Sequence, residues 1–318
     1  MREVAVVTTG FFDGVHLGHR HVIETVVSSA RERGEEAVVV SFWPHPRAVL
    51  QQDARDLRLL STLEEKKAML LSLGIDRVEV LPFTREFAAL TAAQYLDMLR
   101  DRYGATLIVM GYDNKIGADM KTAEELTETY CFRNPSDLRS SSLPTSLRAV
   151  GPLPFMWPRA ATGSGEQYVS VSSTKIRKLL SEGDVEGGNA MLGYEYTLTG
   201  AVVAGNRMGR TIGFPTANMQ LYEPLKLVPG NGVYAVEVEV LGATWRGMCN
   251  IGTRPTVGGA SRTIETHILD FDQDIYGLPL TIRFGRRIRD ERKFPSLEAL
   301  RDQLVADRNE CRKIQSPA

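Results

Sequence analysis

Short apolar runs alternate with amphipathic stretches along the first 111 residues of the chain. The runs are rich in branched side chains and predict buried strands at 4–8, 37–42, 77–81 and 107–110. Helical spacing follows each of the first three runs, and capping-box patterns start two of these helices, at Ser61–Glu64 and at Thr91 with Gln94. The alternation predicts a parallel sheet covered by helices on both faces, with ligands at the carboxyl ends of its strands.

This pattern stops at about Lys121. Five of the fifteen prolines lie between Pro135 and Pro158, among several serines, and no helical or strand period is evident from 133 to 165. Because prolines remove backbone donors and serines compete for backbone hydrogen bonds, we expect an irregular, exposed link there. Helical spacing resumes at 173–181.

Five further strands are predicted after Gly193, at 196–203, 232–240, 244–251, 263–271 and 280–288. Short strands in series, separated by turns rich in Gly, Asn or Pro, are typical of an antiparallel barrel. Ser296 is the predicted cap of a last amphipathic helix that runs to about Cys311. We therefore expect an α/β chain of two domains, 1–186 with the parallel sheet and 187–318 with the barrel.

Composition and charge mainly exclude other classes of protein and site. A net charge of −1 over 318 residues gives no overall attraction to nucleic acid or to a membrane surface. Three cysteines without paired spacing indicate free thiols in a reducing compartment, and the five histidines do not have the spacing of a transition-metal site. The first apolar run is too short for a signal peptide or a membrane span, so a cytoplasmic protein is expected.

The first chemical motif, GFFDGVHLGH at 10–19, lies between the first strand and the first helix. The start of a helix offers unpaired N–H groups and partial positive charge, and the motif's glycines allow a nucleotide to approach the backbone. His16 and His19 can donate hydrogen bonds to phosphate oxygens. The other interpretation is a glycine-rich turn with solvated histidines. The predicted nucleotide-binding residues of this motif are Gly10, Phe12, Asp13, Gly14 and Gly18.

A second motif, VSSTKIR at 171–177, has serines that can cap a helix and bases that can reach a pyrophosphate at its start. Taken alone, the motif favours a capped helix with exposed bases. Together with the first motif it resembles the nucleotidyltransferase superfamily, in which two such segments grip a triphosphate. The residues predicted to bind nucleotide here are Ser172, Ser173, Thr174 and Arg177.

Two motifs lie in the barrel half. Residues 205–218 place three glycines four apart and end in Pro-Thr-Ala-Asn. This pattern suits a phosphate cradle followed by oxygen ligands for Mg²⁺, and composition alone favours an ordinary loop equally. Glu265 alternates with Thr266 on a predicted strand and is a candidate general base or a solvated surface carboxylate. The nucleotide-binding candidates are Gly205, Gly209, Arg210, Gly213, Pro215, Thr216 and Asn218.

With these motifs in order, and with Phe42-Trp43-Pro44-His45-Pro46 and Asn250–Pro255, the chain resembles the bacterial bifunctional riboflavin kinase/FMN adenylyltransferases, or FAD synthetases. The resemblance implies a Rossmann-like nucleotidyltransferase domain and a six-stranded barrel kinase. It implies ATP-dependent conversion of riboflavin to FMN and of FMN to FAD, with Mg²⁺ and with riboflavin, FMN and ATP as partners. Implied roles are catalysis by His16, His19 and Glu265, metal binding by Thr216 and Asn218, and flavin binding by Asp113, Tyr276 and Arg289.

One segment departs from the family pattern. After the fourth strand, residues 111–119 have Ile116 in place of an aromatic residue and Ala118-Asp119 in place of a basic pair. The alternative function is therefore a riboflavin kinase whose adenylyltransferase domain is weak or inactive. A flavin store without turnover is a third possibility, which a positioned base at Glu265 disfavours.

Overall fold

The structure is a computed structural model that describes residues 4–50, 56–111, 114–130, 146–151, 170–205, 208–256 and 259–313. The chain divides into two compact units, Met1–Ser173 and Thr174–Ala318. This division falls before the predicted boundary at 186/187, because the helix that begins at Ser173 buries Leu180 and the Leu180 carbonyl accepts the N–H of Gly230 at 2.7 Å. The boundary between functional domains stays a prediction.

The first unit is built on a five-stranded parallel sheet in the order β3-β2-β1-β4-β7, as the alternation of strands and helices predicts. Its strands are β1 (Ala5–Thr9), β2 (Glu36–Trp43), β3 (Arg77–Pro82), β4 (Ala105–Gly111) and β7 (Ser146–Val150). A two-stranded hairpin, β5 (Lys115–Ile116) and β6 (Lys121–Thr122), lies between β4 and β7 in the chain. Valines on β1, β2 and β4 are fully buried on both faces of the sheet, as expected for parallel strands.

Six helices complete the described part of this unit: α1 (Leu17–Arg33), α2 (Pro46–Leu50), α3 (Leu63–Ser72), α4 (Arg85–Ala88), α5 (Ala92–Tyr103) and α6 (Ala123–Tyr130). The capping box predicted at Thr91 and Gln94 is confirmed. The one predicted at Ser61–Glu64 is wrong by one residue, because Thr62 and Glu65 form it. Ser61 is instead used by the β1–α1 loop, since its Oγ accepts the N–H of Gly14 at 2.9 Å.

The link from 133 to 165 is not irregular throughout. Strand β7 pairs in parallel with β4, and Leu147 and Val150 are 8% and 6% exposed. The prediction of no strand in this stretch is therefore wrong for Ser146–Val150, where apolar side chains can pack at the edge of the sheet between two proline-containing segments. The rest of the predicted irregular stretch lies outside the described residues.

The second unit is a closed six-stranded barrel in the order β10-β11-β12-β9-β8-β13. Its strands are β8 (Tyr196–Val203), β9 (Ala217–Leu221), β10 (Gly232–Val240), β11 (Ala243–Thr256), β12 (Gly259–Ile268) and β13 (Pro279–Arg289). Five match the strands predicted from alternation, and β9 is the one that the pattern missed. All strand pairs described in the barrel are antiparallel, so the predicted architecture is confirmed.

Four helices accompany the barrel: α7 (Ser173–Glu182), α8 (Val185–Leu192), α9 (Met208–Thr211) and α10 (Leu297–Lys313). Ser296 caps α10 as predicted, since its Oγ accepts the N–H of Ala299 at 3.2 Å. Helix α10 covers an outer patch of the barrel, where Cys311 packs in one buried cluster with Phe214 and Met248. The barrel therefore has a second apolar core outside its wall, next to the Pro-Thr-Ala-Asn segment.

Candidate functional site

The residues between β1 and α1 form a tight loop at the carboxyl end of the central strand. Phe12, Gly14 and Val15 have φ angles of +53°, +78° and +37°, in or near the left-handed region that side chains rarely adopt. At Gly18 a Cβ would lie 3.3 Å from the ring of His16, so the glycine allows that ring to pack against the backbone. The loop thus has the sharp turn that lets N–H groups at a helix start face an anion.

Some predicted nucleotide-binding residues of this loop face the protein rather than open space. Asp13 is 4% exposed, and its carboxylate accepts the N–H groups of Leu60 and Ser61 at 3.0–3.1 Å. Phe12 is also buried, and its ring lies 3.2 Å from where a Cβ on Gly10 would stand. Their visible contacts fix the shape of the loop, and their part in nucleotide binding stays a prediction.

His16 and His19 are brought together at the start of α1. His16 is the N-cap, its Nδ1 accepts the N–H of His19 at 3.3 Å, and the two rings stack with centroids 3.6 Å apart. Burial, helped by His16, lowers the pKa of His19 well below its usual value, so its imidazole is neutral at neutral pH. Its Nδ1 is buried and has no hydrogen-bond partner among the described residues. A neutral imidazole in this place can donate a hydrogen bond to a phosphate oxygen.

The second motif meets the first through Ser173. The Ser173 hydroxyl donates to the carbonyl of Asp13 at 3.1 Å, and the carbonyl of Val171 lies 3.8 Å from where a Cβ on Gly18 would stand. The structure therefore brings Ser173 to the loop that holds the two histidines. Thr174 and Arg177 belong to the second unit, and their predicted roles stay predictions.

Two cavities of the second unit share Thr216. The larger, about 450 Å³, lies where α10 covers the barrel and is lined by Thr216, Asn250, Glu265, His267, Arg289 and Glu291 with several apolar side chains. The smaller, about 100 Å³, is lined by Arg210, Pro215, Thr216, Thr266, Ile268 and the 271–276 segment. Alternation along β12 is confirmed, since Glu265 and His267 face the larger cavity and Thr266 and Ile268 the smaller one.

Glu265 stands in a row of three residues across three strands. It pairs in register with Asn218 on β9 and with Asn250 on β11. Side chains directly opposite on neighbouring antiparallel strands lie on one face, about 5 Å apart, so a carboxylate is flanked by two amides. Such a row offers both a proton acceptor and oxygen ligands on one wall of the barrel.

His267 anchors the loop that precedes β9. Its Nδ1–H donates to the carbonyl of Pro215 at 2.8 Å, and its ring contacts Phe214 edge to face at 5.2 Å. Burial lowers the pKa of this imidazole. The hydrogen bond fixes the tautomer and holds Pro215 and Thr216 at the cavity they border.

The glycines of the 205–218 segment have different structural roles. A Cβ on Gly205 would lie 2.2 Å from Nδ2 of Asn218, and one on Gly209 would lie 2.1 Å from the carbonyl of Phe214. Gly213 has φ +83° and open space around it, so it serves a turn. A Cβ on Gly209 would therefore meet a backbone carbonyl, so only glycine fits there, whereas a Cβ on Gly205 would meet only the Asn218 side chain. Arg210 is exposed beside the smaller cavity.

The predicted flavin-binding residues do not share one cavity. Arg289 lines the larger cavity with Glu265, whereas Tyr276 lines the smaller one and is 43% exposed. Asp113 lies outside the described residues. Arg289 is held by Asp307 of α10, which is 1% exposed and accepts two guanidinium hydrogen bonds at 3.0 and 2.7 Å.

We expect Asp307→Ala to lower the free energy of unfolding by about 3–5 kcal/mol, because removing one partner leaves the other charge poorly compensated. Urea unfolding compared with Asp302→Ala, an exposed position on the same helix, measures this. Equal stability of the two variants would show that the ion pair contributes little.

Thiol and metal-cluster chemistry find no support in the described residues. Cys249 and Cys311 are free and buried, and burial raises the pKa of each thiol to about 12. Among the residues that the structure describes, no group of three or more His, Cys, Asp or Glu side chains could hold a metal ion. None of the helices in the described part of the chain is long and apolar enough to cross a membrane.

Comparison with known proteins decides the family. The model of the riboflavin kinase family matches residues 192–315, and that of the FAD synthetase family matches residues 1–141. The chain is 36% identical over 310 residues to the bifunctional riboflavin kinase/FMN adenylyltransferase of Bacillus subtilis (strain 168), with 96% of this chain and 91% of that protein covered. It belongs to the family of bifunctional riboflavin kinase/FMN adenylyltransferases.

Two further proteins are similar to nearly the whole chain. The Escherichia coli (strain K12) member of the family is 34% identical over 315 residues, with 98% of this chain and 93% of that protein covered. A crystal structure described as a macrolide-efflux protein from Streptococcus pneumoniae has a TM-score of 0.86 and 32% identity, and covers 99% of this chain and 96% of that one. The two family models show that the kinase and adenylyltransferase domains of the family are both present in this chain.

The unusual segment after β4 has a structural explanation within this family. Ile116 is 8% exposed in the core of the first unit, and the carboxylate of Asp119 accepts the N–H of Ala92 at 2.7 Å. Gly117, at φ +75°, passes so close that a Cβ would lie 2.1 Å from the same nitrogen. These residues join the hairpin to the start of α5, so their departure from the family pattern fits packing.

Sequence reasoning missed two residues that line the larger cavity, Asn250 and Glu291, and one that holds its Arg289, Asp307. Asn250 was part of a motif but had no assigned role, and Glu291 and Asp307 were not singled out. Pairing with Glu265 could have indicated Asn250, had the strand register been known. Glu291 comes from a segment without periodicity, where Asn231 donates to it at 3.3 Å, and only the fold brings it to the cavity.

Proposed function

We propose that this chain phosphorylates riboflavin to FMN in the barrel unit and adenylylates FMN to FAD in the α/β unit, each time with ATP. The observation that carries the proposal is Glu265, aligned with Asn218 and Asn250 on the wall of a 450 Å³ cavity that borders the Pro-Thr-Ala-Asn segment. A storage protein has no need of a carboxylate in this row.

In the kinase step, Glu265 accepts the proton of the riboflavin ribityl hydroxyl. The freed oxygen attacks the γ-phosphorus of ATP, the bond to the β-phosphate oxygen breaks, and ADP leaves. The apolar lining and Arg289 hold the flavin, while the close Gly205 and Gly209 backbone holds the phosphates beside Thr216. General-base catalysis of this kind contributes roughly 100- to 10,000-fold in rate.

The residues fit a magnesium ion in the kinase cavity. Thr216, Asn218 and Glu265 offer hydroxyl, amide and carboxylate oxygens, which are the ligands that Mg²⁺ prefers. Gly205 also leaves a space beside Asn218 that a Cβ would fill. Thr216 and Asn218 would hold the ion. When bound, Mg²⁺ neutralises charge on the phosphates.

In the adenylyltransferase step, the chain works by positioning and charge stabilisation. His16 and His19 donate to the phosphates of ATP, and the start of α1 adds its N–H groups. An FMN phosphate oxygen attacks the α-phosphorus, and pyrophosphate leaves. Ser172 and Ser173 close the loop side of the site, with Thr174 and Arg177 as further predicted ligands of the nucleotide.

The proposed substrates are small molecules, and no nucleic-acid partner is proposed, since a net charge of −1 gives no overall attraction to one. We also propose a cytoplasmic location. Free, buried thiols at Cys249 and Cys311 suit a reducing compartment.

A flavin product assay tests the function. With riboflavin, ATP and Mg²⁺ we expect FAD as the final product, and with FMN as the starting flavin we also expect FAD. FMN alone from riboflavin, and no product from FMN, would favour a kinase with an inactive adenylyltransferase. No product in either reaction would contradict both and favour a flavin-binding protein. Chromatographic separation of the flavins distinguishes the three results.

A further inference from the structure

One charged side chain of the first unit is buried without a part in the chemistry above. Lys66, on α3, is 1% exposed. Its ammonium donates to the carbonyl of Phe11 at 2.8 Å and lies 3.9 Å from the centre of the Phe11 ring. Burying a lysine is costly unless its charge is used, and neighbouring Lys67 shows the ordinary arrangement, 37% exposed and 3.6 Å from Glu64.

The contacts of Lys66 converge on the start of the nucleotide loop. The Phe11 carbonyl also accepts the hydroxyl of Ser41 at 3.3 Å, so two donors from different elements hold this peptide. The next residue, Phe12, has a positive φ and contacts the His19 ring edge to face at 5.2 Å. A shift at Phe11 would therefore be passed directly to the histidine side of the loop.

Charge gives a second link between Lys66 and the site. The ammonium is close enough to His19 to help lower the pKa of that imidazole, and the Asp13 carboxylate acts on Lys66 as its counter-charge. His45 contacts the same Phe11 ring at 4.2 Å. Of these three titratable groups, Asp13 and His19 belong to the loop and helix proposed to bind the nucleotide, and His45 reaches the ammonium's partner Phe11.

We propose that Lys66 is a positioning residue of adenylyl transfer, which holds the 10–19 loop through the Phe11 carbonyl and keeps a positive charge behind its phosphate-binding histidines. The proposal rests on the adenylyltransferase function proposed above. A positive charge at this place favours a bound triphosphate and opposes protonation of His19. Misplacing such a loop by about 1 Å can cost on the order of 100-fold in rate.

The charge state makes the proposal testable without disturbing the fold. Burial lowers the pKa of Lys66 from 10.5 to about 8. The ammonium is therefore charged below about pH 8 and loses its charge as the pH rises through that value. In the free enzyme, kcat/KM for ATP in FAD formation should fall over the same range, because kcat/KM reports groups of the free enzyme.

The experiment compares wild type, Lys66→Met and Lys67→Met. Methionine keeps the length and apolar stem of lysine without its charge. For Lys66→Met we expect kcat/KM for FAD formation at pH 7 to fall by up to about 100-fold, with little further fall above pH 8. Lys67→Met should match wild type, and riboflavin phosphorylation by the same preparations should be unchanged in all three.

The outcomes are separable. If kcat/KM for FAD formation by the wild type does not change between pH 7 and 9, the proposal is overturned even if Lys66→Met fails to fold. The proposal would also be overturned if folded Lys66→Met had the same kcat/KM for FAD formation as Lys67→Met. A Lys66→Met variant with a lower kcat/KM that still falls above pH 8 would overturn it too, since that result indicates a purely structural role. A wild type that makes no FAD at all would contradict the adenylyltransferase function itself.

Discussion

Replacing Glu265 by Gln should lower the rate of FMN formation roughly 100- to 10,000-fold while riboflavin binding is largely retained. Glutamine has almost the same shape and keeps the row with Asn218 and Asn250 filled, but it cannot accept a proton at neutral pH. Binding of the flavin depends instead on the apolar lining of the cavity and on Arg289. Steady-state kinetics and riboflavin fluorescence titration measure the two effects in parallel.

Glu239→Gln is the matched control for this variant. Glu239 lies on β10, is 48% exposed and pairs with Arg283 at 2.7 Å, outside the cavity. Its replacement should leave FMN formation unchanged, and conversion of FMN to FAD should be unchanged in both variants. If Glu265→Gln retains full turnover, Glu265 is not the base.

Replacing His19 by Ala should lower FAD formation from FMN by roughly 100- to 1,000-fold, the usual effect of removing one donor to a developing charge. The stacked partner His16 remains, because its cap uses the backbone N–H of residue 19 rather than the side chain. The helix start should therefore survive the substitution. Riboflavin phosphorylation should not change, since the residues proposed for the kinase step all lie in the second unit.

His21→Ala serves as the control, because it removes a half-buried histidine two positions further along the same helix. Coupled product assays with riboflavin and with FMN distinguish the two steps. A joint loss of both activities in folded His19→Ala protein would indicate one shared ATP site in place of two.

Much of the fold was predictable because its signals are local. Buried parallel strands appear as runs of branched residues, and barrel strands alternate, so nine of the main strands could be located from the pattern. Strand β9 could not, because only Met219 of its five residues is buried and it starts directly after a proline-containing loop. Strand β7 could not, because prolines on both sides obscure its two buried residues, Leu147 and Val150.

The candidate sites were predictable where the chemistry lies within one segment. The 10–19 loop, the Pro-Thr-Ala-Asn element and Glu265 are of this kind. Lys66 and Asp307 were not predictable, since a charge on an amphipathic helix has the same pattern whether it is solvated or buried. Ser61 shows the same limit, because its hydroxyl serves Gly14 and so leaves the capping box to Thr62.

Thr216 borders both cavities of the barrel unit, which matters for the design of inhibitors. A fragment that fills the small cavity and another that fills the large one would meet at this single side chain. A short linker that passes Thr216 could therefore join them into one compound. Such linkage can raise affinity by roughly 100- to 10,000-fold over either fragment without a new contact, and the compound should compete with ligands of both cavities at once.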